Sequence, residues 1–109
     1  MKVIDNINIL AIGRNAAIMA VVERLLNSHE HWIGKAVISN AAAIEAIEKQ
    51  PYEIVLLCGG ITPTEESALR TQLQQQQPDV IIAQHYGGGS GLLENEILGL
   101  MTYHGIQFR

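Results

Sequence analysis

The chain has 109 residues, a formal charge of −4, one cysteine and 48% hydrophobic residues. At roughly 100–200 residues per domain it is one domain, residues 1–109, long enough to bury a real core. A single cysteine excludes a disulfide scaffold and a multi-cysteine metal centre, the acidic balance excludes a strongly basic nucleic-acid binder, and the apolar content excludes intrinsic disorder.

Residues 1–6 lead into a strand-like run with no signal-peptide core or cleavage site, and no stretch of about 20 apolar residues could cross a membrane. The expectation is a cytoplasmic chain without membrane or nucleic-acid partners. Residues 7–12 are a short, β-branched apolar run and predict the first strand. Asn15 is placed to cap a first helix, whose apolar stripe is read as Ile18, Val21, Val22, Leu25 and Leu26, with Glu23 and Arg24 facing water. Residues 32–38 predict a weaker second strand, and Ser39 or Asn40 caps a second helix with Ala43, Ile44 and Ile47 inward. Pro51 ends that helix. Residues 53–58 predict the third strand; five successive apolar side chains require cover on both faces, as in a central parallel strand.

Thr62, Pro63 and Glu65 fall at the N-cap, N1 and N3 positions of a third helix, whose inner stripe is Ala68, Leu69 and Leu73. Residues 79–83 predict the fourth strand. After a glycine-rich loop, a fourth helix carries Leu93, Ile97, Leu100 and Met101, with Gly105 as its C′ residue. Residues 106–108 predict a fifth strand. Strict alternation with short connections predicts an α/β fold: a three-layer α/β/α sandwich on a five-stranded parallel sheet, ordered second-first-third-fourth-fifth, with four helices and no final one.

In such a sheet ligands bind outside the carboxyl ends of the strands. The loops after the first, third and fourth strands therefore supply the candidate site: Gly13, Arg14 and Asn15; Cys58, Gly59 and Gly60; His85, Gly87, Gly88, Gly89 and Ser90. Arg109, at the end of the fifth strand, is placed beside them. Glycines let backbone N–H groups turn toward an anion, and Arg14 is a charge partner for phosphate or carboxylate. No lysine follows the glycines, so the loop is not a nucleotide-binding motif; its plain reading is a flexible connection. Cys58 precedes a helix start that favours thiolate, with His85 as its base, but a lone cysteine is ordinarily a small buried hydrophobe. His29, Glu30 and His31 supply two histidines in a turn, too few for a metal site, and read as a solvated loop. Trp32 reads as a packing residue. His104 suits a helix C-terminus.

Residues 9–12, the helix end Glu23-Arg24-Leu25-Leu26, and residues 46–57 (AIEKQPYEIVLL) resemble the receiver domain of bacterial response regulators over nearly the whole chain. The resemblance implies a flavodoxin-like fold. Its chemistry is transfer of a phosphoryl group to an aspartate after the third strand, with Mg²⁺ held by an acidic pair after the first. Here the acidic pair falls on Gly13 and Arg14, the phosphoacceptor on Cys58, the hydroxyl residue near Gln84, and the lysine at best on Arg109. Every catalytic position departs, which implies a degenerate, pseudo-receiver scaffold without aspartyl phosphorylation, cofactor or metal.

A receiver-like fold carries a helix after its last strand, and this sequence stops at Arg109. The second, third and fourth helices are then expected on one face and the first alone on the other, leaving apolar sheet for a homodimer or protein partner to cover. The leading expectation is a non-catalytic regulatory or interaction domain. The alternative is a binding protein or enzyme for a small anionic ligand at the three loops.

Overall fold

The computed structural model describes residues 2–85 and 90–109, for Ser90 the backbone only. The described residues form β1 (Lys2–Ile4), β2 (Ile7–Ile12), α1 (Ala16–Leu26), β3 (Trp32–Val37), α2 (Asn40–Lys49), β4 (Ile54–Leu57), α3 (Pro63–Gln76), β5 (Ile81–Gln84), α4 (Ser90–Tyr103) and β6 (Ile106–Phe108). The fold is α/β with parallel sheets, as the alternation of elements predicts. The predicted first strand is β2, and its four successors are β3 to β6. Among the described residues no helix is long and apolar enough to cross a membrane.

Four strands pair in parallel in the order β3-β2-β4-β5, the predicted order for the first four. Ile54, Val55, Leu56 and Leu57 are fully buried because β4 lies between β2 and β5 with helices over both faces. The five-stranded sheet is corrected. β6 pairs instead with β1, which the sequence reading passed over, in a parallel two-stranded sheet that sets Lys2 opposite Ile106 and Ile4 opposite Phe108. A hollow of about 660 Å³ lies where β6 parts from β5, lined in part by Val80, Ile81, His104 and Ile106.

The expected distribution of helices is corrected for the same reason. One core layer joins Met19, Val22 and Leu26 of α1 with Leu93, Ile97 and Met101 of α4 over Ile7, Ile9, Ile54 and Leu56. The other joins Ala43, Ala46 and Ile47 of α2 with Leu69 and Leu73 of α3 over Leu10, Ile12, Val55 and Leu57. Each face thus has two helices, and the face expected to be open is covered by α4. The cause is the direction of the last crossover. From β5 the chain turns back toward β1, which leads into β2, rather than stepping outward. The helix of that return, α4, packs in the same core layer as α1.

The caps follow the sequence closely. Asn15 accepts from the Ile18 N–H at 3.0 Å, and Ser39 accepts from Ala42 at 3.1 Å. Thr62 and Glu65 form the complete capping box, with Pro63 at the helix start. Gly105 takes φ +68° just beyond α4. Two inward stripes differ from expectation. In α1 it is Met19, Val22 and Leu26 that are buried, while Ile18 and Val21 are 57% and 43% exposed. In α3, Leu69 and Leu73 are buried and Ala68 faces outward.

Candidate functional site

Gly13, Arg14 and Asn15 follow β2, Cys58, Gly59 and Gly60 follow β4, and His85 follows β5, so the parallel sheet brings all three loops to its carboxyl edge as expected. Gly87, Gly88 and Gly89 lie outside the described residues, so the anion-cradle reading of that loop does too. Ser90 is the first residue of α4. Arg109 is not at this edge, contrary to expectation. Its guanidinium Nε donates to Asp5 at 2.8 Å and its backbone N–H to Ile4 at 2.9 Å, because β6 aligns with β1 at the other end of the strands.

Arg14 organises the edge. Its Nη2 donates to Asn40 Oδ1 at 2.6 Å and to Glu65 Oε2 at 3.1 Å, and its Nη1 to the Gly13 carbonyl at 3.1 Å. One guanidinium therefore ties the start of α2 to the start of α3. Glu65 serves two partners: Oε1 accepts from the Thr62 N–H at 3.1 Å while Oε2 faces Arg14. These bonds, first from the Thr62 backbone, then from its side chain and from Arg14, hold the Glu65 carboxyl below its usual range. Gly60 has φ +93°, and a Cβ there would come within 3.0 Å of Arg14 Cβ, so both backbone and space require glycine. A hollow of about 410 Å³ opens beside Arg14, walled by Ile18, Met19, Cys58, Gly59 and Gly60.

Cys58 is buried, 7% exposed. Burial, and then the negative charge of Glu96, push its thiol up to about 11. The helix start that could have favoured a thiolate is occupied by Glu65. His85 is committed elsewhere: its Nδ1 lies 2.6 Å from Glu96 Oε1, with the ring 7% exposed. The structure thus favours the plain reading of Cys58 as a small core residue; it belongs to the same core layer as Met19 and Leu93. At the position aligned with the hydroxyl residue, Gln84 donates its amide to Glu66.

Sequence reasoning missed Asn40, Glu65 and Glu96 as site residues. Glu65 was visible only as a capping residue, and nothing in the spacing of Asn40 or Glu96 ties them to Arg14 or His85. The pair His29 and His31 does not converge. His29 stacks on Trp32 with ring centroids 4.0 Å apart and meets Glu94 at 3.3 Å, while His31 lies beside Glu30 at 3.7 Å. Trp32 is buried, as its packing role requires.

The chemistry open to this edge follows from these ties. A receiver needs carboxylates to hold Mg²⁺ and a free carboxylate to attack phosphorus. At the positions that the receiver resemblance aligns with those groups stand the guanidinium of Arg14 and the buried thiol of Cys58. The nearby carboxylates of Glu65 and Glu96 are held by Arg14 and His85.

Solved structures share this fold. A pilus assembly protein CpaE from Burkholderia thailandensis matches with a TM-score of 0.57 and 20% identity over 85% of this chain and 80% of its own. A pilus assembly-related protein from Burkholderia pseudomallei matches with a TM-score of 0.55 and 20% identity over 85% and 72%. The pilus assembly protein CpaE from Caulobacter crescentus matches with a TM-score of 0.53 and 16% identity over 98% and 83%. At these identities the likeness is one of fold. No protein-family model matches the chain, and no curated protein does.

Proposed function

We propose that the chain is a non-catalytic interaction domain of receiver-like build, working in the cytoplasm through protein contacts in an assembly process of the pilus kind. The observation that carries this reading is Arg14. It stands where a receiver holds its metal-binding acids and is bonded to Asn40 and Glu65, so the edge is locked by an internal cation. A fixed guanidinium repels Mg²⁺ rather than binding it. The names of the fold neighbours support the process. The test is incubation with acetyl phosphate and Mg²⁺, followed by intact-mass measurement. The protein should keep its mass; a phosphoryl adduct on an Asp or on Cys58 would overturn the reading.

A second reading rests on the hollow beside Arg14, whose side chain remains 25% exposed. A carboxylate or phosphate entering there would compete with Glu65 for the guanidinium. A thermal-shift screen of small anions would favour this reading if it gave a hit that Arg14→Ala abolishes.

A further inference from the structure

The four-stranded sheet ends in β3 on one side and β5 on the other, and the chain treats these two edges in opposite ways. Successive residues of a strand turn their N–H and C=O groups to opposite sides. On β3 the carbonyls of His31 and Val37 accept from Ile7 and Gly13, so Trp32, Gly34 and Ala36 point away from β2. All three outward N–H groups are taken within the chain. Trp32 donates to the His29 carbonyl at 3.2 Å and Ala36 to Glu23 at 2.8 Å, while the Asn27 side chain accepts from the Gly34 N–H and donates to its carbonyl. Among the described residues β5 has no such cover. The amides of Ile81 and His85 donate to Glu53 and Leu57 along β4, so those of Ile82 and Gln84 point outward, and no described group bonds to either. Residues 80–84 carry neither a charge nor a proline, two usual guards of a strand edge.

We propose that β5 is a strand-pairing edge, met by β5 of a second copy running antiparallel about a two-fold axis at Ile82, so that the two sheets become one. A row of outward N–H and C=O groups is met in full by an extended strand, which fixes the kind of partner. Three observations select a second copy's β5. The first is register. The outward residues are spaced evenly about Ile82, so Ile82 exchanges both bonds with its own counterpart, and each Gln84 N–H meets the Val80 carbonyl of the other copy. The second is side-chain fit. Ile82, packed on the α2–α3 layer, lies beside its counterpart, and on the α1–α4 side Ile81 lies beside Ala83. The four residues of β5 are half-buried in the single chain, and pairing completes their burial. The charge of −4 is carried elsewhere, so residues 80–84 set no carboxylate against its like across the axis. The third is closure. With the outward N–H groups of β3 already taken, a copy joins at β5 alone, and association stops at two instead of running on into a fibre. The contact is small, and its dimer is weak and reversible.

This contact is separate from the Arg14 edge and does not depend on the outcome with acetyl phosphate. Sedimentation equilibrium from low micromolar to millimolar concentration tests it. The native chain should pass from monomer to dimer. Gln84→Pro removes an outward N–H and spares the bonds to β4, so it should weaken the dimer on the order of 30-fold, one bond being lost on each side of the axis. Gln84→Thr removes the same side chain, with its amide bond to Glu66, but keeps the N–H, and should dimerise as the native chain does. Amide exchange followed by NMR reads the native chain without any substitution. Ile82 and Gln84 should exchange faster on dilution, while Ala83, which faces β4, should not change. A chain that stays monomeric throughout would overturn the proposal and leave this edge to a different protein. So would a dimer that survives Gln84→Pro, one that Gln84→Thr abolishes, or Ile82 and Gln84 amides whose exchange ignores concentration.

Discussion

Arg14 and Cys58 mark how far single residues were legible. Both were identifiable as edge residues from their places after apolar strands, and the receiver resemblance aligns them with positions where that family carries acids. Their partners were not, because Asn40, Glu65 and Glu96 come from three different helices and meet the edge only through tertiary packing. Environment, not position, decides Cys58. With its thiol pushed up to about 11 from an ordinary value near 9, the thiolate at pH 8 is about 100-fold scarcer than on a free cysteine. Iodoacetamide should label Cys58 in the native protein at least that much more slowly than after unfolding in urea, as mass spectrometry would register. The shift also sets a pH dependence. A raised thiol leaves stability unaffected below the unfolded value, and stability falls as pH rises from about 9 toward about 11, where the unfolded chain loses its proton first. Cys58→Ala should flatten that part of the stability curve.

At the scale of elements, periodicity located the helices and the strands from β2 onward but drew the inward stripe of α1 too wide, with Val22 and Leu26 rightly in it, Ile18 and Val21 wrongly so, and Met19 left out. The reason is that α1 is apolar on too many sides. Ile18, Val21 and Leu25 form one ridge; Met19, Val22 and Leu26 form another one residue further on. Only the docking partner separates them. That partner is β3: Asn27, the C-cap of α1, donates to the Gly34 carbonyl at 2.8 Å and accepts its N–H at 2.9 Å, while Leu26 sits directly over the glycine. A Cβ at Gly34 would strike Leu26 Cβ and Cδ1. Gly34→Ala should therefore cost about 1–3 kcal/mol of stability in urea denaturation, as overpacking does. The same glycine made β3 look weak in the sequence, where its side-chain deficit was visible and the helix it accommodates was not.

At the scale of the whole molecule, the alternation of elements predicted the parallel sheet and its first four positions, since strands joined through helices pair in parallel. The last crossover was not legible. Whether the chain steps outward past β5 or returns to β1 depends on which edge β6 finds, and three residues carry no periodic signal of that choice. The ladder they form sets residues 2–4 against 106–108. Closing a loop of about 100 residues costs about 4 kcal/mol in chain entropy, against the few hydrogen bonds of a three-residue strand pair. The Lys2 and Arg109 amides, which bond to Gly105 and Ile4, should exchange with deuterium well before those of β2 and β4, a difference that native-state exchange read by NMR would register. The same separation orders events during synthesis. While the ribosome still shields residues 106–108, the β1 strand has no partner, so this seam closes only after β2 to β5 have emerged.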